Sequence, residues 1–187
     1  MNMNEHIQSL FADRASNDRE VAYEAICGLF ATAEEPVDWA YDVWDQLLSE
    51  LEHGAGNRRA FAAQMLARLA ISDPEGRMLE DFPRVAAVMR DSKTVTARHT
   101  LQSIWRVGLA GPTQRAMVVD ALSARFGECA EGKHESLVRT DVVTALGKLM
   151  KATGDDAVER SALSLIEAEP DGKRRKGQAA AWRKAVR

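Results

Sequence analysis

The chain has no useful stretch in which β-branched and polar residues alternate, and no apolar run longer than a few residues. The first absence removes the signal of a half-buried strand. The second leaves nothing of the length that a membrane-crossing helix requires. The opening residues, MNMNEHIQSLF, lack both the basic start and the apolar stretch of a secretory signal, so the expected compartment is the cytoplasm. Cysteine is scarce: Cys27 and Cys129 stand far apart and form neither a C-x-x-C pair nor a cluster with histidine. No H-E-x-x-H is present, and His6, His53, His99 and His134 are scattered. No metal, cofactor or catalytic residue is expected from these types at these spacings.

What remains is ordinary in amount and uneven in placement. With 187 residues, 45% of them apolar, the chain can bury a real core, and charged residues make up 28%. Residues 34–52, EEPVDWAYDVWDQLLSELE, carry seven carboxylates and no Lys or Arg. Residues 173–187 carry seven basic residues and no acid, so this end holds +7 and the rest −10 of a net −3. The expected molecule is an acidic body with a basic end.

Apolar residues recur three and four apart throughout, which predicts an all-α protein. Breakers at Pro36, Gly54 with Gly56, Asp73-Pro74, Gly111-Pro112, Gly132, Gly154 and residues 170–172 cut it into short helices. Five segments align without gaps from Arg19, Arg59, Arg98, Arg139 and Arg175, spaced 40, 39, 41 and 36 residues apart. Seven residues after each arginine stands a large apolar side chain: Ile26, Leu66, Trp105, Leu146 and Trp182. Offsets three, six, seven, ten and eleven form one helical face, so each segment is the same amphipathic helix in the same register. Between them lie further amphipathic stretches, including PVDWAYDVWDQLLSEL and PTQRAMVVDALSARF.

Two helices per unit of about 40 residues is the period of HEAT repeats. Residues 82–104, FPRVAAVMRDSKTVTARHTLQSI, resemble such a repeat in detail, with Pro83 in the first helix, Asp91 at the turn and Arg98 entering the second. The resemblance implies a right-handed α-α superhelix, a solenoid of about five HEAT-like helix pairs. It would form a single domain over residues 1–187, with approximate repeats 1–34, 35–72, 73–110, 111–152 and 153–187. It also implies a scaffold or adaptor, non-enzymatic, that binds another protein on its curved surface. The alternative within the same resemblance is a nucleic-acid-binding protein related to the HEAT-like DNA alkylation-repair glycosylases. Those place an aspartate one turn after a tryptophan, whereas Trp105 is followed by Leu109.

Residues 127–134, GECAEGKH, imitate a phosphate-binding loop, with Gly127, Gly132 and Lys133 in place and His134 where a hydroxyl belongs. The neighbouring stretches are helical rather than a strand, so a loop between helices is expected. The five arginines offer two readings. Their methylenes can pack at the edge of the buried face while the guanidinium bonds turn carbonyls or carboxylates, the role that the resemblance implies, or they can form a ladder for phosphates. The exposed face of the arginine helices, offsets one, five and nine, reads Glu20, Glu24, Gly28; Ala60, Gln64, Arg68; His99, Ser103, Val107; Thr140, Thr144, Lys148; Lys176, Ala180, Lys184. It runs from acidic to basic, unlike a uniform groove for duplex DNA.

Two surfaces are candidate interfaces. Trp39 beside Asp38, Asp42 and Asp45 forms either a partly exposed aromatic hot spot for a basic protein segment or a residue packed on its neighbour. Lys173, Arg174, Lys176, Arg183, Lys184 and Arg187 form the candidate nucleic-acid site, with Trp182 either a stacking platform or a core residue. Cys27 is expected as a packed small side chain. The opposite charges of the two ends also allow self-association.

Overall fold

The computed structural model describes residues 4–128 and 134–187. Ten α-helices account for most of them: α1 (Glu5–Asp13), α2 (Arg19–Thr32), α3 (Ala40–His53), α4 (Gly56–Leu69), α5 (Arg77–Ala87), α6 (Thr94–Ser103), α7 (Pro112–Glu128), α8 (Glu135–Thr153), α9 (Asp156–Glu167) and α10 (Gly172–Ala185). Short 3-10 segments, Ala70–Ser72, Val88–Arg90 and Ile104–Leu109, extend α4, α5 and α6. No strand occurs among the described residues, and no helix among them is long and apolar enough to cross a membrane.

Local chemistry fixes where several helices begin. The side chains of Asn4, Asp18, Asp155 and Asp171 accept hydrogen bonds from the first free backbone N–H groups of α1, α2, α9 and α10. Asp18 and Asp171, next to or near the arginines of their helices, are helix caps. Gly154 closes α8 in the left-handed conformation, at φ 65°, where a Cβ would be strained.

The helices pack in two rows. Helices α2, α4, α6, α8 and α10 lie side by side, each against the next, and α3, α5, α7 and α9 form a second row in the same order. The core fills the space between the rows. Leu29, Leu69 and Leu149 occupy one arginine-helix position ten residues after Arg19, Arg59 and Arg139, and all three are fully buried. Trp44 of α3 is also fully buried, and its indole N–H donates to Asp81 at 2.9 Å. At the far end Trp182 is buried, and α10 approaches α8 closely: a Cβ added to Gly147 would come within 2.6 Å of the Ala185 Cβ.

Three of the five arginines tie their helix pair to the next. Arg59 of α4 donates to Asp91 at 2.6 Å and to the Gly54 carbonyl at 2.6 Å. Arg98 of α6 donates to Asp141 at 2.6 Å, and Arg139 of α8 to Glu169 at 2.9 Å. Asp141 and Glu169 are buried, the latter almost completely, and Glu169 also accepts from Gln178 at 2.9 Å. Burial pushes the Glu169 carboxyl up, but the bonds from Arg139, Gln178 and the Asp171 backbone outweigh it and leave the group below its ordinary value. Arg19 is exposed and makes no ion pair among the described residues, and Arg175 reaches only the Glu169 carbonyl, at 3.5 Å. The three inner arginines are thus mortised into the next pair, and the outer two are not.

Candidate functional site

The row of arginine helices carries a groove with a volume of about 680 Å³, bounded by α2, α4 and the start of α6. Its floor is apolar, with Phe30 stacked on Phe61 at a centroid distance of 5.6 Å. Its rim carries large apolar side chains left to solvent: Tyr23 is 69% exposed and Val95 68%. Isolated exposed apolar residues are common on any surface, but these two line the same apolar groove.

Cys27 also lines this groove and is exposed, contrary to the expectation of a packed side chain. It lies one turn after Tyr23 on α2, and the contact between the two raises the Tyr23 phenol above its ordinary value. Cys129, Gly132 and Lys133 lie outside the described residues; the flanking Gly127 and His134 belong to the last turn of α7 and the cap of α8.

Beyond Phe30 the groove meets a cluster of cations. The Arg68 guanidinium lies over the Phe30 ring, 4.0 Å from its centroid, and donates to the Gln64 carbonyl at 3.0 Å. Arg68 and Arg106 converge on one oxygen of Glu34, at 3.2 Å and 2.7 Å. Lys148 of α8 makes no ion pair among the described residues, and burial together with the charges of Arg106 and Arg68 lowers its pKa. Arg68 responds in the same way: burial and the Arg106 charge bring it down to about 10 although Glu34 opposes the shift.

Arg106 is the site residue that helical periodicity misses. Ser103, the last residue of α6, is buried with its hydroxyl on the His99 and Thr100 carbonyls. Val107 would face outward in an unbroken α-helix from Arg98, yet it too is buried. The cause is the change to 3-10 geometry at Ile104. A 3-10 turn advances about 120° per residue instead of 100°, so a few residues accumulate roughly 60° of extra rotation. Val107 swings into the core and Arg106 takes its place on the surface row. Trp105 is only half-buried for the same reason, and the Arg106 guanidinium lies 4.6 Å from its ring centroid.

At the acidic candidate site, of the two alternatives for Trp39 the packed one is found. Trp39 is 5% exposed and packs edge-on against Phe11 of α1, with centroids 6.2 Å apart, so it offers no hot spot to a partner. Helix α1 is laid across it, a tertiary contact that the local sequence does not announce. Asp38, Asp42 and Asp45 are exposed on the second row, and Asp45 pairs with Arg77. Glu50 pairs with Arg14, Glu52 with Arg84 at 2.7 Å and Glu34 with Arg106, so much of the acidic stretch is neutralised internally.

At the basic candidate site the cations and the tryptophan are placed differently. Lys173, Lys176, Arg183, Lys184 and Arg187 are exposed on or beside α10 and make no ion pair among the described residues, while Arg174 is partly buried. Trp182 faces α8 rather than solvent and cannot stack on a base. No group of three His, Cys, Asp or Glu residues that could hold a metal occurs among the described residues. Comparison with protein-family models, curated proteins and solved structures finds no match to this chain.

Proposed function

We infer that the protein is a HEAT-like α-solenoid, a right-handed stack of about five helix pairs, that acts as a non-enzymatic scaffold binding another protein. The observation that carries this reading is the apolar groove on the arginine-helix row, with Tyr23 and Val95 exposed at its rim. The two-row packing and the arginine pairs between neighbouring helix pairs support the solenoid. A stack of this kind pre-organises a contact surface, so little conformational entropy is lost on binding. The groove suits an apolar side chain of a partner.

The test is capture of partners from native extract by the full chain and by Tyr23→Asp and Val95→Asp variants. Both positions are exposed, so both variants should fold, and folding is checked by circular dichroism. Defined proteins held by the parent and lost by both variants support the groove. Capture that is indifferent to both substitutions refutes it.

A second reading, nucleic-acid binding through α10, rests on the exposed cations there, among them Lys173, Lys176, Arg183, Lys184 and Arg187, that lack ion-pair partners among the described residues. It predicts affinity for oligonucleotides that falls steeply with salt and disappears when Lys173, Lys176, Arg183 and Lys184 are changed to glutamine. Charge substitution is the proper probe, because deleting α10 would also remove Trp182 from the core. Self-association between the oppositely charged ends would appear as a concentration-dependent mass at low salt.

A further inference from the structure

The groove and the cation cluster beside it form one continuous surface. Phe30 contributes its ring to the groove and to the platform under Arg68, and Gln64 lines the groove while its carbonyl holds the Arg68 guanidinium. Past that junction stand Arg68, Arg106 and Lys148, with the single carboxylate of Glu34 among them. Asp141, the acid whose charge acts on Lys148, is engaged by Arg98 at 2.6 Å. The cluster therefore carries an excess of positive charge.

Its setting strengthens that charge. The Arg68 and Arg106 side chains are only 11% and 18% exposed, so water screens them poorly and an incoming oxyanion feels a lower effective dielectric. Two donors in this place, Arg106 Nε and Trp105 Nε1, are buried and make no hydrogen bond. Buried donors without partners are uncommon in folded proteins and mark a place to look for a ligand. Glu34, half-exposed, holds one oxygen on both arginines and shows how a carboxylate fits there.

Resting on the groove reading above, we propose that the partner is a protein segment with an apolar side chain for the Tyr23–Val95 groove and a neighbouring Asp or Glu carboxylate for Arg68, Arg106 and Lys148. The apolar floor selects a peptide over a nucleic-acid backbone, and so does the charge along the row. A long polyanion following the row would meet Glu20 and Glu24, both exposed on α2, whereas a segment with one well-placed acid would not. Glu34 competes with the incoming carboxylate, and binding displaces it from the arginines.

The experiment is selection of random peptides displayed on phage against the full chain, followed by fluorescence anisotropy of the recovered peptides. Enrichment of an apolar residue with a neighbouring acid is expected. Changing that acid to its amide should weaken binding roughly tenfold, as should Lys148→Gln or Arg106→Gln. The losses should not add, because both substitutions remove the same contact. Glu34→Gln should tighten binding, a gain that a merely structural role for Glu34 would not produce.

Apolar peptides without an acidic preference, sensitive to Val95→Asp but not to Lys148→Gln or Arg106→Gln, would overturn this inference and leave the groove standing. Acidic peptides indifferent to both Val95→Asp and Tyr23→Asp would overturn the groove and with it the composite site. No enrichment at all would overturn both. An oligonucleotide that binds in place of peptides and is lost in Lys148→Gln would assign the cluster to nucleic acid and overturn the peptide.

Discussion

Residues 34–52 and 173–187 carry the same number of charges, of opposite sign, and the fold uses them in opposite ways. In the acidic stretch Glu34, Asp45, Glu50 and Glu52 all accept arginines from other elements. In the basic stretch Lys173, Lys176, Arg183, Lys184 and Arg187 stand in solvent without ion pairs among the described residues. The acidic charge is part of the joinery between helix pairs, and the basic charge is surface. Charge density in a sequence thus does not separate the two roles. The difference lies in whether a neighbouring element supplies a counter-ion, and that is decided by packing between helices far apart in the chain.

The contrast can be broken first at its strongest joint. Removing Arg139 leaves Glu169 buried beside Gln178 without its cation, and Arg139→Ala should cost about 3 kcal/mol, read as a lower midpoint in urea. A variant whose midpoint does not move would show that the joint is ornamental. The second break lies at the basic end itself, which is held by close approach rather than by ion pairs. Gly147→Val would drive side-chain atoms into Ala185 and should cost about 2 kcal/mol by overpacking, with a matching fall in melting temperature.

A third prediction concerns acid. Arg59 holds the Asp91 carboxyl below its ordinary value, against the opposing effect of burial, and Glu128 is lowered chiefly by Arg90. A depressed folded-state pKa contributes stability that is present above the unfolded value and lost as pH falls through the folded one. Urea midpoints should therefore be flat near neutrality and fall below about pH 4, and Asp91→Asn should make that fall shallower. The smallest effect sharpens the comparison from the other side. Changing Lys173, Lys176, Arg183 and Lys184 together to glutamine should alter stability by less than about 0.5 kcal/mol per site, because surface positions away from specific contacts rarely matter more.

Much of the helical plan is legible in the sequence. Fixed offsets from Arg19, Arg59 and Arg139 locate Leu29, Leu69 and Leu149, because burial along an α-helix repeats with its turn. The exposed face is read less well, for two physical reasons. Trp39 is hidden by α1, which no local pattern connects to it. Arg106 reaches the surface only because α6 tightens at Ile104, and nothing in IWRVGL declares that pitch. Partners of the arginines are also displaced among positions: Asp91 precedes Arg98 by a loop, while Asp141 lies inside α8. An acid is needed near each guanidinium in space, and several sequence positions satisfy that need.

The tightening at Ile104 has a consequence for how such a chain diversifies. Insertions and deletions displace everything downstream. A local change of pitch instead acts as a phase shift: it exchanges one column of side chains for its neighbour and leaves the length of the unit unaltered. Variation at Val107 or Trp105 that restored the wider turn would retire Arg106 from the surface without touching it. The chemistry of this face is therefore inherited through the winding of a helix as much as through the residues that it displays.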